Sequence, residues 1–158
     1  MASFRPSTIA DLEGLLALQQ QYYAEDGYLF AERAARTAWE QLLNTPSLGR
    51  AWVVEDGARP VAYVVLTFGY SLEYHGRDAV LDELFVVPRH PRRGLAREAL
   101  DVLEAACLTL GVRALHLVVE HKKECAIELY RTHGFVGHER YLMTKRFEIV
   151  PHLGVGEA

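Results

Sequence analysis

Residues 79–87, Ala-Val-Leu-Asp-Glu-Leu-Phe-Val-Val, are closed by Pro88 and lead through Arg89-His90-Pro91 into Arg92-Arg93-Gly94-Leu95-Ala96. A branched and aromatic run stopped by proline reads as a strand. After Gly94 the spacing turns helical: Ala96, Ala99, Leu100, Leu103, Ala106, Cys107 and Leu110 share one face, and Gly111 supplies a stop. A strand that enters a helix through a basic, glycine-containing loop aims several backbone N–H groups, and the positive end of the helix dipole, at one place. That place suits an anion, above all a phosphate. The single glycine lets such a group approach the main chain where a Cβ would hold it off. Neither Gly-x-x-x-x-Gly-Lys-Ser/Thr nor Gly-x-Gly-x-x-Gly occurs, which argues against a P-loop or a dinucleotide fingerprint. An ordinary strand-to-helix turn with a solvated arginine pair is the competing reading of the same local pattern.

The remaining elements follow from this unit. Residues 112–119 form a nearly continuous apolar run, expected as a buried strand parallel to the first after the helical crossover. Upstream, residues 50–55 and 61–68 flank Asp56-Gly57 and read as a hairpin, and His75-Gly76-Arg77-Asp78 turns the chain into the central strand. Before them stand a short strand at Phe4-Arg5, a helix opened by Thr8 and Asp11 with Leu12, Leu15, Leu16, Gln19, Tyr22 and Tyr23 in register, and a helix over residues 31–43. Beyond them, residues 124–133 predict a last helix, the alternation over residues 140–147 predicts a final strand, and residues 151–158 read as a tail. The order β-α-α-β-β-β-α-β-α-β describes one α/β (α+β) domain over residues 1–150, a mixed, mostly antiparallel sheet with helices on both faces.

Composition narrows the partners. A formal net charge of −4 across 158 residues makes nucleic acid an unsuitable partner. No run is long or apolar enough to be a signal peptide or a bilayer span, so a cytoplasmic protein without a membrane partner is expected. Cys107 and Cys125 lie on separate predicted helices without Cys-x-x-Cys spacing, and the seven histidines show no ligand-like spacing, so neither a disulfide nor a metal is expected.

Asp82 and Glu83 are conspicuous inside the central strand, because carboxylates there are costly to bury unless paired or functional. They either face solvent or meet a neighbouring arginine, or they line a cleft, one attracting an ammonium group and one taking its proton. Tyr130 lies on the apolar face of the last helix, where a core role is the ordinary reading.

The chain resembles the GNAT superfamily, the Gcn5-related N-acetyltransferases. The likeness is carried by Leu84-Phe85-Val86-Val87-Pro88 followed by Arg92-Arg93-Gly94-Leu95-Ala96, by the strand at 112–119, and by Ala126, Tyr130, Gly134 and Phe135 in the pattern Ala-x-x-x-Tyr-x-x-x-Gly-Phe. It departs from the family pattern at Pro91, where Gln or Arg is usual, and at Lys123, where Asn often stands. The resemblance implies the GNAT fold and acetyl-CoA as cofactor. It implies that the pyrophosphate rests on the N–H groups of Arg93, Gly94, Leu95, Ala96 and Arg97 with charge from Arg92 and Arg93. The pantetheine arm would pair with the main chain at Phe85, Val86 and Val87, near Lys123, and an N–H near Val86 would serve the acetyl oxygen. By the same resemblance Tyr130 protonates the departing thiolate, while Asp82 and Glu83 handle the amine. The acidic pair resembles the diamine and thialysine branch, and so points to a small cationic amine such as a polyamine, an amino-acid derivative or an aminoglycoside, acetylated by direct attack. Tyr22, Tyr23, Tyr28, Tyr70 and Tyr74 fall in segments that would surround its entrance. Rival readings are a protein N-terminal or lysine acetyltransferase and a non-catalytic acyl-CoA sensor. Family members often dimerise through late strands, so a homodimer through residues 140–147 is a further expectation.

Overall fold

The computed structural model describes residues 3–147. In chain order it has β1 (Arg5–Pro6), α1 (Leu12–Asp26), α2 (Glu32–Asn44), β2 (Gly49–Asp56), β3 (Arg59–Ser71), β4 (Gly76–Val86), α3 (Leu95–Thr109), β5 (Ala114–His116) and α4 (Glu124–Thr132). The strands form one sheet in the order β1-β2-β3-β4-β5, antiparallel except for the parallel pair β4 and β5.

Alternation along β3 divides the interior. Ala62, Val64 and Leu66 meet Leu95, Ala99, Leu100 and Leu103 of α3 on one face. Tyr63 and Val65 meet Leu12, Leu15, Leu16, Leu18 and Trp39 of α1 and α2 on the other. Helices therefore cover both faces. The entry to α1 is fixed by charge: Asp11 accepts the Thr8 N–H at 2.8 Å, and Arg5 reaches both Asp11 oxygens, at 2.7 and 3.0 Å, and Glu55 at 3.0 Å. Gly57, at φ 63°, makes the hairpin turn between β2 and β3.

The registry of β4 on β3 contains one irregularity that shapes everything near it. Val64 faces Leu84 and Val65 faces Glu83, but Leu66 faces Leu81, so Asp82 is an extra residue in β4. Leu81 before the bulge, and Leu84 and Val86 after it, all pack toward α3. Glu83 and Phe85 turn to the α1 side.

Two expectations are corrected. The strand expected over residues 112–119 pairs only at Ala114–His116, opposite Asp78–Val80, because the bulge starting at Asp82 ends its ladder with β4. The final strand expected over residues 140–147 does not form: these residues join no ladder and are exposed, Tyr141 at 96 %. The alternation is present, but the main chain has no paired neighbour there, and Arg140 is held instead by Glu73, at 2.9 and 3.1 Å. The expected tail at 151–158 lies outside the described residues. No helix among the described residues is long and apolar enough to cross a membrane.

Candidate active site

The loop between β4 and α3 has the features of an anion cradle. Gly94 is the N-cap of α3 at φ 85°, a left-handed conformation that favours glycine, and no side chain caps the helix. The N–H groups of the first turn, Leu95, Ala96 and Arg97, thus face outward with the helix dipole behind them. Leu95 is 2 % exposed and anchors that turn in the core. Arg93 and Arg97 are exposed and form no ion pair among the described residues. Arg92 behaves differently: its guanidinium bonds to Glu98 of the first turn, whose other oxygen accepts the Phe4 N–H at 3.3 Å. Arg92 therefore braces the loop against α3 and the N-terminal segment. Its own N–H donates to His90 Nδ1 at 3.2 Å.

The second feature is a free strand edge. From Leu81 to Val86, β4 pairs with β3 on one side and, among the described residues, with nothing on the other, because its ladder with β5 ends at Val80. The Val87 N–H donates to Val61 O at 2.9 Å. In an antiparallel ladder the direction alternates, so the main-chain groups of Phe85 and Glu83 also point to β3, and those of Val86 and Leu84 point to the open edge. Of the three predicted coenzyme-binding residues on this strand, Val86 aims its N–H into the gap. The Phe85 side chain is buried on the α1 face and stacks on Tyr22, with centroids 5.4 Å apart. Unpaired main-chain groups along a strand edge accept an extended polar chain.

The acidic pair lies at the start of that gap, and the bulge leaves both carboxylates on the α1 side, where Tyr23 senses both. Their surroundings differ. Asp82 is exposed, with no hydrogen-bond or ion-pair partner among the described residues, and the protein walls around it, then the charge of Glu83, push its carboxyl up from the usual range. Glu83 is saturated. Its Oε1 accepts from Tyr23 at 2.6 Å, its Oε2 from Tyr63 at 2.7 Å, and Gln19 Nε2 stands 3.1 Å from each oxygen. Gln19 is in turn fixed by Trp39, whose Nε1 donates to its Oε1 at 2.8 Å. Desolvation first, and then Glu83, raise the ionisation of Tyr63 and Tyr23 far above the phenol range. Burial lifts Tyr22 to about 12.

The far wall comes from α4 and the segment before it. Tyr130 is half-buried at the rim of the α3-side core, edge-on to Phe135 at 5.8 Å, and its hydroxyl has no partner among the described residues. Burial raises its ionisation, and Lys123 draws it partly back. Lys123, at the N-cap of α4, places Nζ 2.7 Å from Asp26 Oδ2 at the end of α1. Tyr28 donates to Glu120 at 3.1 Å. These two contacts draw the connection between α1 and α2 against the entrance to α4. Edge contacts of Tyr23 with Tyr22, Tyr28 and Phe30, at 5.5, 5.9 and 5.9 Å, make that wall aromatic.

Of the tyrosines singled out in the sequence, Tyr22, Tyr23 and Tyr28 gather here. Tyr70 is exposed on β3, and Tyr74 packs on His116 at 5.2 Å. Sequence reasoning missed Tyr63 and the Gln19–Trp39 pair as supports of Glu83. A glutamine on the apolar face of α1 was the available signal, since a buried amide needs partners. Among the described residues no group of three metal-ligating side chains comes together.

The profile of the acetyltransferase (GNAT) family matches residues 12–135. The mycothiol acetyltransferase of Jonesia denitrificans is 28 % identical over 137 residues, 85 % of this chain, and the chain spans 42 % of that relative's length. An integron cassette protein from the mobile metagenome of Cole Harbour Salt Marsh superposes with a TM-score of 0.82 at 33 % identity, covering 96 % of this chain and 93 % of that one. The aminoglycoside N-acetyltransferase AAC(6')-Iy, in a complex with CoA, superposes with a TM-score of 0.78 at 15 % identity over 92 % of this chain and 95 % of its own, a likeness of fold.

Proposed function

Because the chain belongs to the acetyltransferase (GNAT) family, whose members use acetyl-CoA, we propose that it acetylates the primary amine of a small cationic acceptor by direct attack. The observation that carries the reading is the unpaired edge of β4, with an uncapped, glycine-led helix N-terminus at one end and an unpartnered carboxylate, Asp82, at the other.

The residues present fit the coenzyme. The first-turn N–H groups of α3, with Arg93 and Arg97 beside them, suit its phosphates, and the open main-chain groups of Leu84 and Val86 suit its amide-bearing arm. Pro91 lacks an N–H, but it precedes the turn whose donors face outward. When bound, acetyl-CoA supplies the activated acyl group. The chain's own residues do the rest. The Val86 N–H offers a donor to the acetyl oxygen, a contribution of about 3 kcal/mol in sites of this kind. Asp82 holds an ammonium group at the bulge. Tyr130, with a free hydroxyl and a raised pKa, keeps a proton for the leaving sulfur. We assign Lys123 to the clamp on Asp26.

The clamped aromatic wall favours a small acceptor over a polypeptide laid across an open groove. AAC(6')-Iy is an aminoglycoside acetyltransferase and the Jonesia relative a mycothiol acetyltransferase, both names consistent with a small acceptor. A thiol-release assay with acetyl-CoA and spermidine, kanamycin, lysine or a free-N-terminus peptide tests the reading. Turnover of a small polyamine or aminosugar is expected, with a KM raised about tenfold by Asp82→Asn. Faster turnover of the peptide than of every small amine would overturn it.

A further inference from the structure

A cationic amine must shed a proton before it can attack, and we infer that Tyr23 relays that proton to Glu83. The inference rests on the amine-acetyltransferase reading above. Glu83 is the carboxylate fixed most rigidly at the site, yet it has no open position. A carboxylate offers about four lone-pair directions. Here each oxygen already meets two donors: Gln19 and Tyr23 at Oε1, Gln19 and Tyr63 at Oε2. A proton bound for Glu83 therefore arrives through one of those donors.

Two of the three cannot carry it. Gln19 is an amide whose oxygen is already held by Trp39, and an amide N–H is a poor proton carrier. Tyr63 is 0 % exposed and sealed beneath the sheet by α1 and α2. Tyr23 is half-buried and borders the aromatic wall formed with Tyr22, Tyr28 and Phe30. Its hydroxyl hydrogen is directed at Glu83 Oε1, 2.6 Å away, because an ionised carboxylate only accepts. One lone pair of the phenol oxygen remains for a donor from the acceptor side.

The step balances without a tyrosinate. An ammonium N–H bond breaks as an O–H bond forms on Tyr23, while the original Tyr23 O–H breaks and an O–H forms on Glu83 Oε1. The amine becomes neutral, Tyr23 is neutral before and after, and Glu83 becomes a neutral acid. Reversal through Tyr23 after product leaves returns the proton to water. A relay is the form of proton transfer this phenol permits, because its surroundings oppose full ionisation. The groups that face the pair are Gln19 and Tyr22 from α1, Tyr28 after it, Tyr63 from β3 and Asp82 from β4, while Asp26 and Lys123, paired with each other, act on Tyr22. Asp82, exposed beside Glu83, holds the cation while Tyr23 takes the proton.

The test compares wild type with Tyr23→Phe in two measurements. In thiol-release kinetics with spermidine and kanamycin, the variant is expected to lose at least about tenfold in kcat with KM within about twofold, and the acidic limb of its pH–rate profile is expected to move up toward the ionisation of the amine itself. The double variant with Glu83→Gln is expected to be no slower than Tyr23→Phe alone. In NMR, the buried Tyr63 hydroxyl proton, which reaches solvent through Glu83 and Tyr23, is expected to exchange at least about tenfold more slowly in the variant. An unchanged Tyr63 exchange rate, or a variant with wild-type kcat and pH profile, would overturn the relay. If wild type acetylates neither amine, that failure counts against the choice of acceptor, and the exchange rate alone decides the relay.

Discussion

Asp82 and Asp11 show how one residue type answers opposite surroundings. The carboxyl of Asp82 is raised by the walls around it and by Glu83. In the interval between its unfolded and folded values the folded chain binds the extra proton, so its contribution to stability is full below the unfolded value and is lost as pH rises through the folded one. Asp82→Asn is therefore expected to raise Tm at pH 7, with the difference vanishing near pH 3 in thermal scans. Asp11 is lowered, mainly by Arg5. Its contribution is present above the unfolded value and lost as pH falls through the folded one, so Asp11→Asn should cost about 1–2 kcal/mol at pH 7 and little in acid, as urea titrations would show. Tyr130→Phe should lower kcat at least about tenfold with coenzyme affinity unchanged, by steady-state kinetics and calorimetry. The cap at Asp11 was legible because Thr8 and Asp11 are sequence neighbours. The shared face of Asp82 and Glu83 was not, because it depends on a bulge set by registry with Val65 and Leu66 across the sheet.

Elements place these residues by what they leave unpaired. The hairpin of β2 and β3 was readable from Asp56-Gly57, and α3 from its apolar face and Gly94, since both signals are local. The length of β5 was not, because an apolar run over 112–119 says nothing of where its neighbour turns away. Close approach of elements fixes Gly49, where a Cβ would stand 2.3 Å from the Leu66 carbonyl oxygen. Gly49→Ala should destabilise by about 1–3 kcal/mol in chemical denaturation. Gly94 has open space around its missing Cβ, so its constraint is the left-handed backbone alone. Gly94→Ala is expected to cost about 1 kcal/mol in stability and to weaken coenzyme binding by a larger factor, because straining this residue re-aims the first-turn N–H groups.

For the whole molecule, the β4 ladder with β5 stops just before the acidic bulge begins, so the strand edge proposed for the coenzyme starts beside the carboxylates proposed for the acceptor. The family pattern made the membership and the glycine-led entry to α3 legible in sequence, through Arg92 to Ala96. The reading of alternation failed over residues 140–147, which join no ladder and where Arg140 is tied to Glu73 instead. The most direct test of the account is a thermal-shift titration with acetyl-CoA, CoA and ATP. Acetyl-CoA and CoA at about a hundred times their dissociation constants should stabilise the fold by about 2.7 kcal/mol, a rise of about 5–10 °C in Tm, with a smaller response to ATP. No shift with either CoA form, or an equal shift with ATP, would contradict it.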